Sequence, residues 1–243
     1  MATAQFVFHA ELNDFLPASQ RGLPCVLDYA SHQTLKHLIE SLGVPHVELG
    51  RVLVEGKDAA FGLPPPDGSR IEVFPGHYLP PQGARFILDN HLGRLAAYLR
   101  MLGLDTLYRN DYQDQELAEV ASQQGRLLLT RDRRLLMRKV LLYGYCLRSL
   151  EPLEQLAEVL SRYQILPSVG EPQHSFQRCL RCNTPLQPVS KQSVLEHLQP
   201  LTKLYYEEFY LCPTCDQVYW KGSHVEHMQA MLRSLRNDGA EYN

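Results

Sequence analysis

Cys179, Cys182, Cys212 and Cys215 form two C-x2-C pairs with 29 residues between them. Each pair makes a thiolate knuckle, and two knuckles fill the tetrahedral sphere of a zinc ion with no position left for water, so the spacing predicts a structural zinc site in a ribbon. A redox dithiol needs only one pair, which argues against that use. Asp89, Asp114 and Asp132 point to different chemistry, because each stands where an apolar run hands over to the next element. Gathered carboxylates repel unless a cation joins them, and hard oxygen ligands suit Mg²⁺ or Mn²⁺, ions that activate water for phosphodiester cleavage. The same three aspartates are also good helix N-caps, and the pattern leaves both readings open.

Elements that could position these acids follow from the apolar pattern. Arg85-Phe86-Ile87-Leu88 reads as a buried strand, and Leu92, Leu95, Ala96, Leu99 and Leu102 recur at helical spacing until Gly103. Strand 104 to 108, helix 114 to 123, strand 126 to 130, a strand at Tyr145-Cys146-Leu147 and a helix opened by Pro152 continue the alternation. Such alternation implies a mainly parallel sheet with right-handed crossovers, in which the carboxyl ends of strands share one edge and positions 89 and 132 can converge. This segment is also the basic one: residues 84 to 170 hold 12 Lys and Arg against 10 Asp and Glu, whereas residues 1 to 83 hold 5 against 9. Arg131, Arg133, Arg134, Arg138 and Lys139 crowd one stretch that can neutralise phosphates or form a solvated helix face. Arg94, Arg100 and Arg131 beside the acids can hold a phosphate or offset carboxylate repulsion.

Ahead of this segment, residues 5 to 74 read as two strands, a helix capped by Ser31, and two more strands. This order, with Val54-Glu55-Gly56 and Asp67-Gly68-Ser69-Arg70-Ile71, resembles the ubiquitin-like β-grasp fold of sulfur carriers. Those carriers need a free C-terminal glycine carboxylate, whereas Phe74-Pro75-Gly76-His77 runs on into Tyr78-Leu79-Pro80-Pro81. A carrier role is therefore blocked unless the chain is cut, and a docking module for a protein partner is expected. Leu79 to Gly83 reads as a linker, because adjacent prolines stop either regular structure. Removing residues 1 to 83 is accordingly expected to leave a folded remainder. Residues 164 to 177 read as a second connector and Val225 to Leu235 as a terminal helix. Between the cysteine pairs, Leu204 to Tyr210 supplies β-prone aromatics for packing or for stacking on bases. His224 and His227 mark a helix start, with phosphate contact or proton transfer the alternative for His224. Cys25 and Cys146 read as buried free thiols.

The 243 residues carry a net charge of -3 with 44% hydrophobic and 21% charged positions, an ordinary globular composition. No run approaches the roughly 20 apolar residues of a membrane helix, and the first twenty residues lack the apolar core of a signal peptide, so no membrane association and a cytoplasmic location are expected.

The ordered stretches Phe86-Ile87-Leu88-Asp89, Leu92-Gly93-Arg94-Leu95-Ala96, Leu99 to Asp105, Asp114-Gln115-Glu116-Leu117 and Gly125 to Asp132, followed by Arg178-Cys179-Leu180-Arg181-Cys182-Asn183 and Val218 to His224, resemble the PIN-like ribonuclease family named for the C-terminal domain of the Mut-seven exonuclease. The similarity covers roughly residues 84 to 232. Some members carry a ubiquitin-like domain in front. The resemblance implies three parts: a ubiquitin-like β-grasp domain (1–78), a PIN-like α/β nuclease domain (84–170), and a zinc ribbon with a C-terminal helix (171–243). It further implies catalytic Asp89, Asp114 and Asp132 binding Mg²⁺ or Mn²⁺, with Asp111 and Glu116 as helpers, and single-stranded RNA as substrate. A non-catalytic RNA-binding or ribosome-associated adaptor is the competing class.

Overall fold

The structure is a computed structural model that describes residues 1–165 and 177–222. His224, His227 and the expected terminal helix lie outside the described residues.

Strand β1 (Ala2–Phe8) alternates so that Ala4, Phe6 and Phe8 face inward. It pairs antiparallel with β2 (Cys25–Tyr29). Helix α1 (Leu35–Ser41) follows, burying Leu35, Leu38 and Ile39. Its N-cap is Thr34, whose hydroxyl accepts from the His37 N–H at 3.4 Å, and not the expected Ser31. The residues between are spent on a turn closed by Gln33 N to Ala30 O at 2.8 Å, so the helix opens later. Strands β3 (Leu49–Val54), β4 (Lys57–Asp58) and β5 (Arg70–Pro75) complete a five-stranded sheet in the order β2-β1-β5-β3-β4, with β1 and β5 parallel. This is the expected β-grasp arrangement. The two-residue β4 has too short a pattern to register in the sequence.

The central segment runs β6 (Phe86–Leu88), α2 (Gly93–Met101), β7 (Thr106–Tyr108), α3 (Asp114–Gln124), β8 (Leu127–Thr130), α4 (Arg133–Leu136), β9 (Gly144–Cys146) and α5 (Pro152–Arg162). Every residue of β6, β8 and β9 is buried, the reason these strands read as unbroken apolar runs and not as alternation. β6 pairs parallel with β7, and β8 pairs parallel with β9, as the strand-helix alternation predicts.

The last part is a three-stranded antiparallel sheet, β10 (Gln187–Val189), β11 (Phe209–Leu211) and β12 (Val218–Trp220). Two short helices, α6 (Lys191–Val194) and α7 (Pro200–Tyr205), precede β11. Leu204 and Tyr205 therefore lie on a helix with Pro200 at its start, and the strand begins only at Phe209. Phe209 packs with Val194, Leu198 and Val218, and Trp220 and Tyr206 cover them.

Packing divides the chain into two units. One joins Met1–Gly83 to Gln113–Leu147, the other Ala84–Tyr112 to Arg148–Asn243. Among the described residues no helix is long and apolar enough to cross a membrane.

The segment that would end a sulfur carrier is built into the first unit. Gly76 N–H donates to Glu48 O at 2.8 Å, and its backbone crosses that of Gly50 so closely that a Cβ on Gly76 would sit 2.7 Å from Gly50 Cα. Only glycine fits a crossing of this kind. Gly76→Ala is expected to destabilise the protein by about 1–3 kcal/mol through overpacking, read as a shift in the urea midpoint.

Candidate functional site

Asp89 follows β6 directly. Its Oδ1 accepts from the Asn90 N–H at 2.6 Å and its carbonyl from Leu92 N–H at 3.0 Å, which folds the chain into the turn before α2. Tyr108, at the end of the parallel partner β7, donates its hydroxyl to Asn90 O at 2.8 Å. Gly93 lets that ring in, because a Cβ there would meet the Tyr108 hydroxyl at 2.8 Å. Asp89 is thus held by a turn and not as a helix cap, a place taken by Leu92. Beside it, Asn90 Oδ1 is buried with no hydrogen-bond partner among the described residues, an acceptor suited to water or a cation. Asp111, in the same unit, is exposed and bonded to Arg109 Nε at 2.9 Å. That bond holds its carboxyl below the ordinary aspartate range. Arg94 is exposed on the first turn of α2.

Asp114 and Asp132 belong to the other unit. Asp114 is exposed in the first turn of α3, with Arg138 Nη2 3.8 Å from its Oδ2, and Glu116 is half-buried in the same turn. Asp132 follows β8 and is the true N-cap of α4: Oδ1 accepts from Arg134 N–H at 2.7 Å and Leu135 N–H at 3.4 Å. Its own N–H donates to the buried Thr130 hydroxyl at 2.9 Å. Oδ2 makes no hydrogen bond among the described residues, so capping and cation binding do not compete for one oxygen. Arg131, the residue before it, is exposed.

Arg100 takes a place other than the phosphate-holding one expected beside the acids. Its side chain is 3% exposed and donates to Thr106 O at 2.9 Å, Leu180 O at 2.8 Å and Arg181 O at 3.0 Å. It grips the first cysteine knuckle from α2, and its donors are used there, not on a phosphate. Burial pushes the guanidinium down from its ordinary value, while the charge of Cys179 and Cys182 acts the other way.

The four cysteines come together. Their Sγ atoms lie within 4.8 Å of one another, with Cys179–Cys215 at 3.5 Å, Cys182–Cys212 at 3.4 Å and Cys182–Cys215 at 3.7 Å. A zinc ion with Zn–S bonds of about 2.3 Å requires sulfur edges of about 3.8 Å, so the set fits with little movement. Among the described residues, three or more metal-ligating side chains gather this closely at the cysteines alone; the aspartates stand at the ends of their own elements.

Both knuckles share a local geometry. Cys179 N–H donates to Thr184 O and Asn183 N–H to Cys179 O; Cys212 N–H donates to Gln217 O and Asp216 N–H to Cys212 O. The residue after each pair is left-handed, Asn183 at φ 71 and Asp216 at φ 55, a region that asparagine and aspartate tolerate. Leu180 N–H donates to Tyr219 Oη, leaving the Tyr219 hydroxyl to donate to Cys179 Sγ at 3.1 Å. Burial opposes a charge on Cys182, yet hydrogen bonding with Thr184 and the neighbouring thiols brings it down to about 6. The knuckle is tied to the α2–β7 turn by Asn183, which accepts from Thr106 N–H at 3.0 Å and donates to Asp105 Oδ1 at 2.8 Å, and by Arg178 Nε to Gly103 O at 3.1 Å.

One zinc per chain is expected by elemental analysis, released by thiol modification or by acid as protons displace the metal. Arg100→Ala leaves one buried and two part-buried carbonyls without their donor. It is expected to destabilise the protein by about 3 kcal/mol and to speed zinc loss to a chelating dye, whereas Arg100→Lys keeps the charge but not the fork.

Two solved structures are similar to the first part of the chain. The small archaeal modifier protein 1 of H. volcanii is 20% identical over 31% of this chain and 98% of that chain, with a TM-score of 0.26. A structure of SAMP1 from Haloferax volcanii is 19% identical over 30% of this chain and 94% of that chain, with a TM-score of 0.24. No curated protein matches the chain. The Mut7-C ubiquitin family matches residues 1–78, and the Mut7-C RNAse domain family matches residues 84–232, well over half the sequence. With the strands, turns and cysteine knuckles of that span in place, the chain belongs to the Mut7-C RNAse domain family, with a Mut7-C ubiquitin domain ahead of it.

Proposed function

We propose that this protein is a metal-dependent ribonuclease acting on single-stranded RNA, with Asp89, Asp114 and Asp132 as its catalytic acids and the cysteine ribbon as a structural zinc site. The observation that carries the reading is the RNAse-domain match, which spans residues 84–232 and contains all three aspartates. Hard carboxylate oxygens suit Mg²⁺ or Mn²⁺, and such an ion, when bound, supplies an activated water and offsets charge on the phosphate.

The chain's own residues do the rest. Tyr108 and the turn at Asn90 hold Asp89, and the N-cap bonds hold Asp132 by one oxygen while leaving the second for a ligand. Exposed Arg131 and Arg94 orient the RNA phosphates by charge-assisted hydrogen bonds. Asp111 and Glu116 are helpers at the start of α3. His224 would take a similar part from outside the described residues.

A second reading has one observation in its favour. Because Asp132 does cap α4, the aspartates could serve structure alone, and the protein would bind RNA as a non-catalytic adaptor. Asparagine separates the two, since it still caps a helix but removes the charge that a hard cation needs. Asp89→Asn, Asp114→Asn and Asp132→Asn are each expected to lower Mn²⁺-stimulated cleavage of labelled RNA at least about a hundredfold, the loss of a few kcal/mol of charge stabilisation. The stability of Asp132→Asn, read from its thermal midpoint, should stay within about 0.5 kcal/mol of the parent. Parent-like cleavage in all three variants would leave the adaptor.

A further inference from the structure

We propose that the ubiquitin-like module is a positioning support for the chain around Asp132, with Glu48 and Arg133 as its positioning residues. The role given to Asp132 rests on the ribonuclease reading; the contacts themselves do not.

β9 is the outermost strand of its sheet. It pairs with β8, and Leu147 N–H donates to Thr130 O at 2.9 Å on that side. The N–H of Cys146, one residue earlier, therefore points to the other edge, where an unpaired donor invites foreign strands. Glu48 meets it. This glutamate is 0% exposed, and its Oε1 accepts the Cys146 N–H at 2.7 Å. A fully buried glutamate is rare unless its oxygens have such work.

Three consecutive residues of one 3-10 turn, His46–Glu48, make this contact together. His46 Nε2 lies 3.0 Å from Leu141 O while its Nδ1 is held by Glu40 at 2.7 Å. Val47 lies over Gly144, where a Cβ would be 3.1 Å from Val47 Cγ2 and 2.7 Å from Leu136 Cδ2. Glycine is thus required for the turn to seat on β9. A second grip comes from the α4 side. Arg133 Nη1 donates to Phe15 O at 2.7 Å and Nη2 to Asp14 O at 3.2 Å, with the guanidinium 5.1 Å from the Phe15 ring centre. Arg133 is the residue after Asp132 and the first of α4, so module contacts hold both the helix that Asp132 caps and the strand beside the one Asp132 follows. The proline-rich linker reads as the boundary of an independent module, but these contacts tie residues 1–83 to residues 113–147.

The test uses full-length protein carrying Glu48→Ala, Glu48→Gln, Arg133→Ala or Arg133→Lys, followed by amide hydrogen exchange over 131–136 and 144–147. Losing a hydrogen bond to a charged group is expected to speed exchange of both segments about tenfold in Glu48→Ala, and of 131–136 in Arg133→Ala. Gln keeps an acceptor, so Glu48→Gln should exchange like the parent, whereas Lys keeps one donor but not the fork, so Arg133→Lys should fall between the parent and Arg133→Ala. The Mn²⁺ concentration for half-maximal RNA cleavage should rise in the two alanine variants, return in Glu48→Gln and lie between in Arg133→Lys, with KM for RNA unchanged. If Glu48→Ala does not fold, the exposed Arg133 pair carries the test. Parent-like exchange of 131–136 in Arg133→Ala overturns the inference. Faster exchange with an unmoved Mn²⁺ dependence overturns the positioning role. A parent protein that cleaves no RNA overturns the ribonuclease reading, and the exchange arm still decides whether the module holds this segment.

Discussion

Strands of three or four residues make too few ladder bonds to fix their own ends, and the parallel strands of the central segment are all this short. A backbone donor or acceptor buried at such an end must find a partner elsewhere in the sequence. In this protein those partners are side chains, most of them from the flanking modules. In one unit the edge N–H of β9 is met by Glu48 of the ubiquitin-like module. In the other, both polar groups of Thr106 at the start of β7 are met from outside the strand, the N–H by Asn183 of the ribbon and the carbonyl by Arg100. The two modules at either end of the chain therefore do the same physical work, each within its own unit.

The groups chosen are mostly charged, and charge-assisted bonds repay the burial better than neutral ones. Arg100 answers three carbonyls and lies near the thiolates of the first knuckle, so one cation both anchors the ribbon and offsets the negative charge of a four-thiolate site. Tyr219 adds a phenol donor to Cys179, kept protonated because burial pushes its acidity down. A cysteine cluster held in this way is part of the fold of α2 and β7 and not a separate bead.

The sequence shows what repeats locally and hides what is joined at a distance. Apolar runs at Phe86–Leu88 and Leu127–Thr130, the helical stripe from Leu92 to Leu99, and the paired cysteines are each legible because one short window carries the whole pattern. Glu48, Arg133 and Asn183 act through single bonds to backbone far along the chain, and such bonds leave no period to read. Arg100 did leave a signal. It stands four residues after buried Ala96 and next to buried Leu99, on the apolar stripe of α2, a poor position for a residue meant to meet a phosphate. The positions after the C-x2-C pairs carried another, since both hold residues that accept a left-handed turn. Asp89, Asp114 and Asp132 were visible at the ends of elements, but only the geometry shows that Asp132 alone among them caps a helix with its side chain.

The amide of Asn183 has a consequence for how the protein ages. Its nitrogen donates to Asp105 while its oxygen accepts from Thr106, so the two ends of one side chain face opposite polarities. Spontaneous deamidation would exchange that donor for a carboxylate facing Asp105, turning an attraction into a repulsion without touching any of the four cysteines. Wear of the ribbon's seat would then begin at an asparagine and not at a thiol, and a preparation could keep its full metal content while the ribbon had already loosened from the α2–β7 turn. Peptide mass mapping of stored protein, read beside its zinc content, would show whether deamidation at Asn183 comes first.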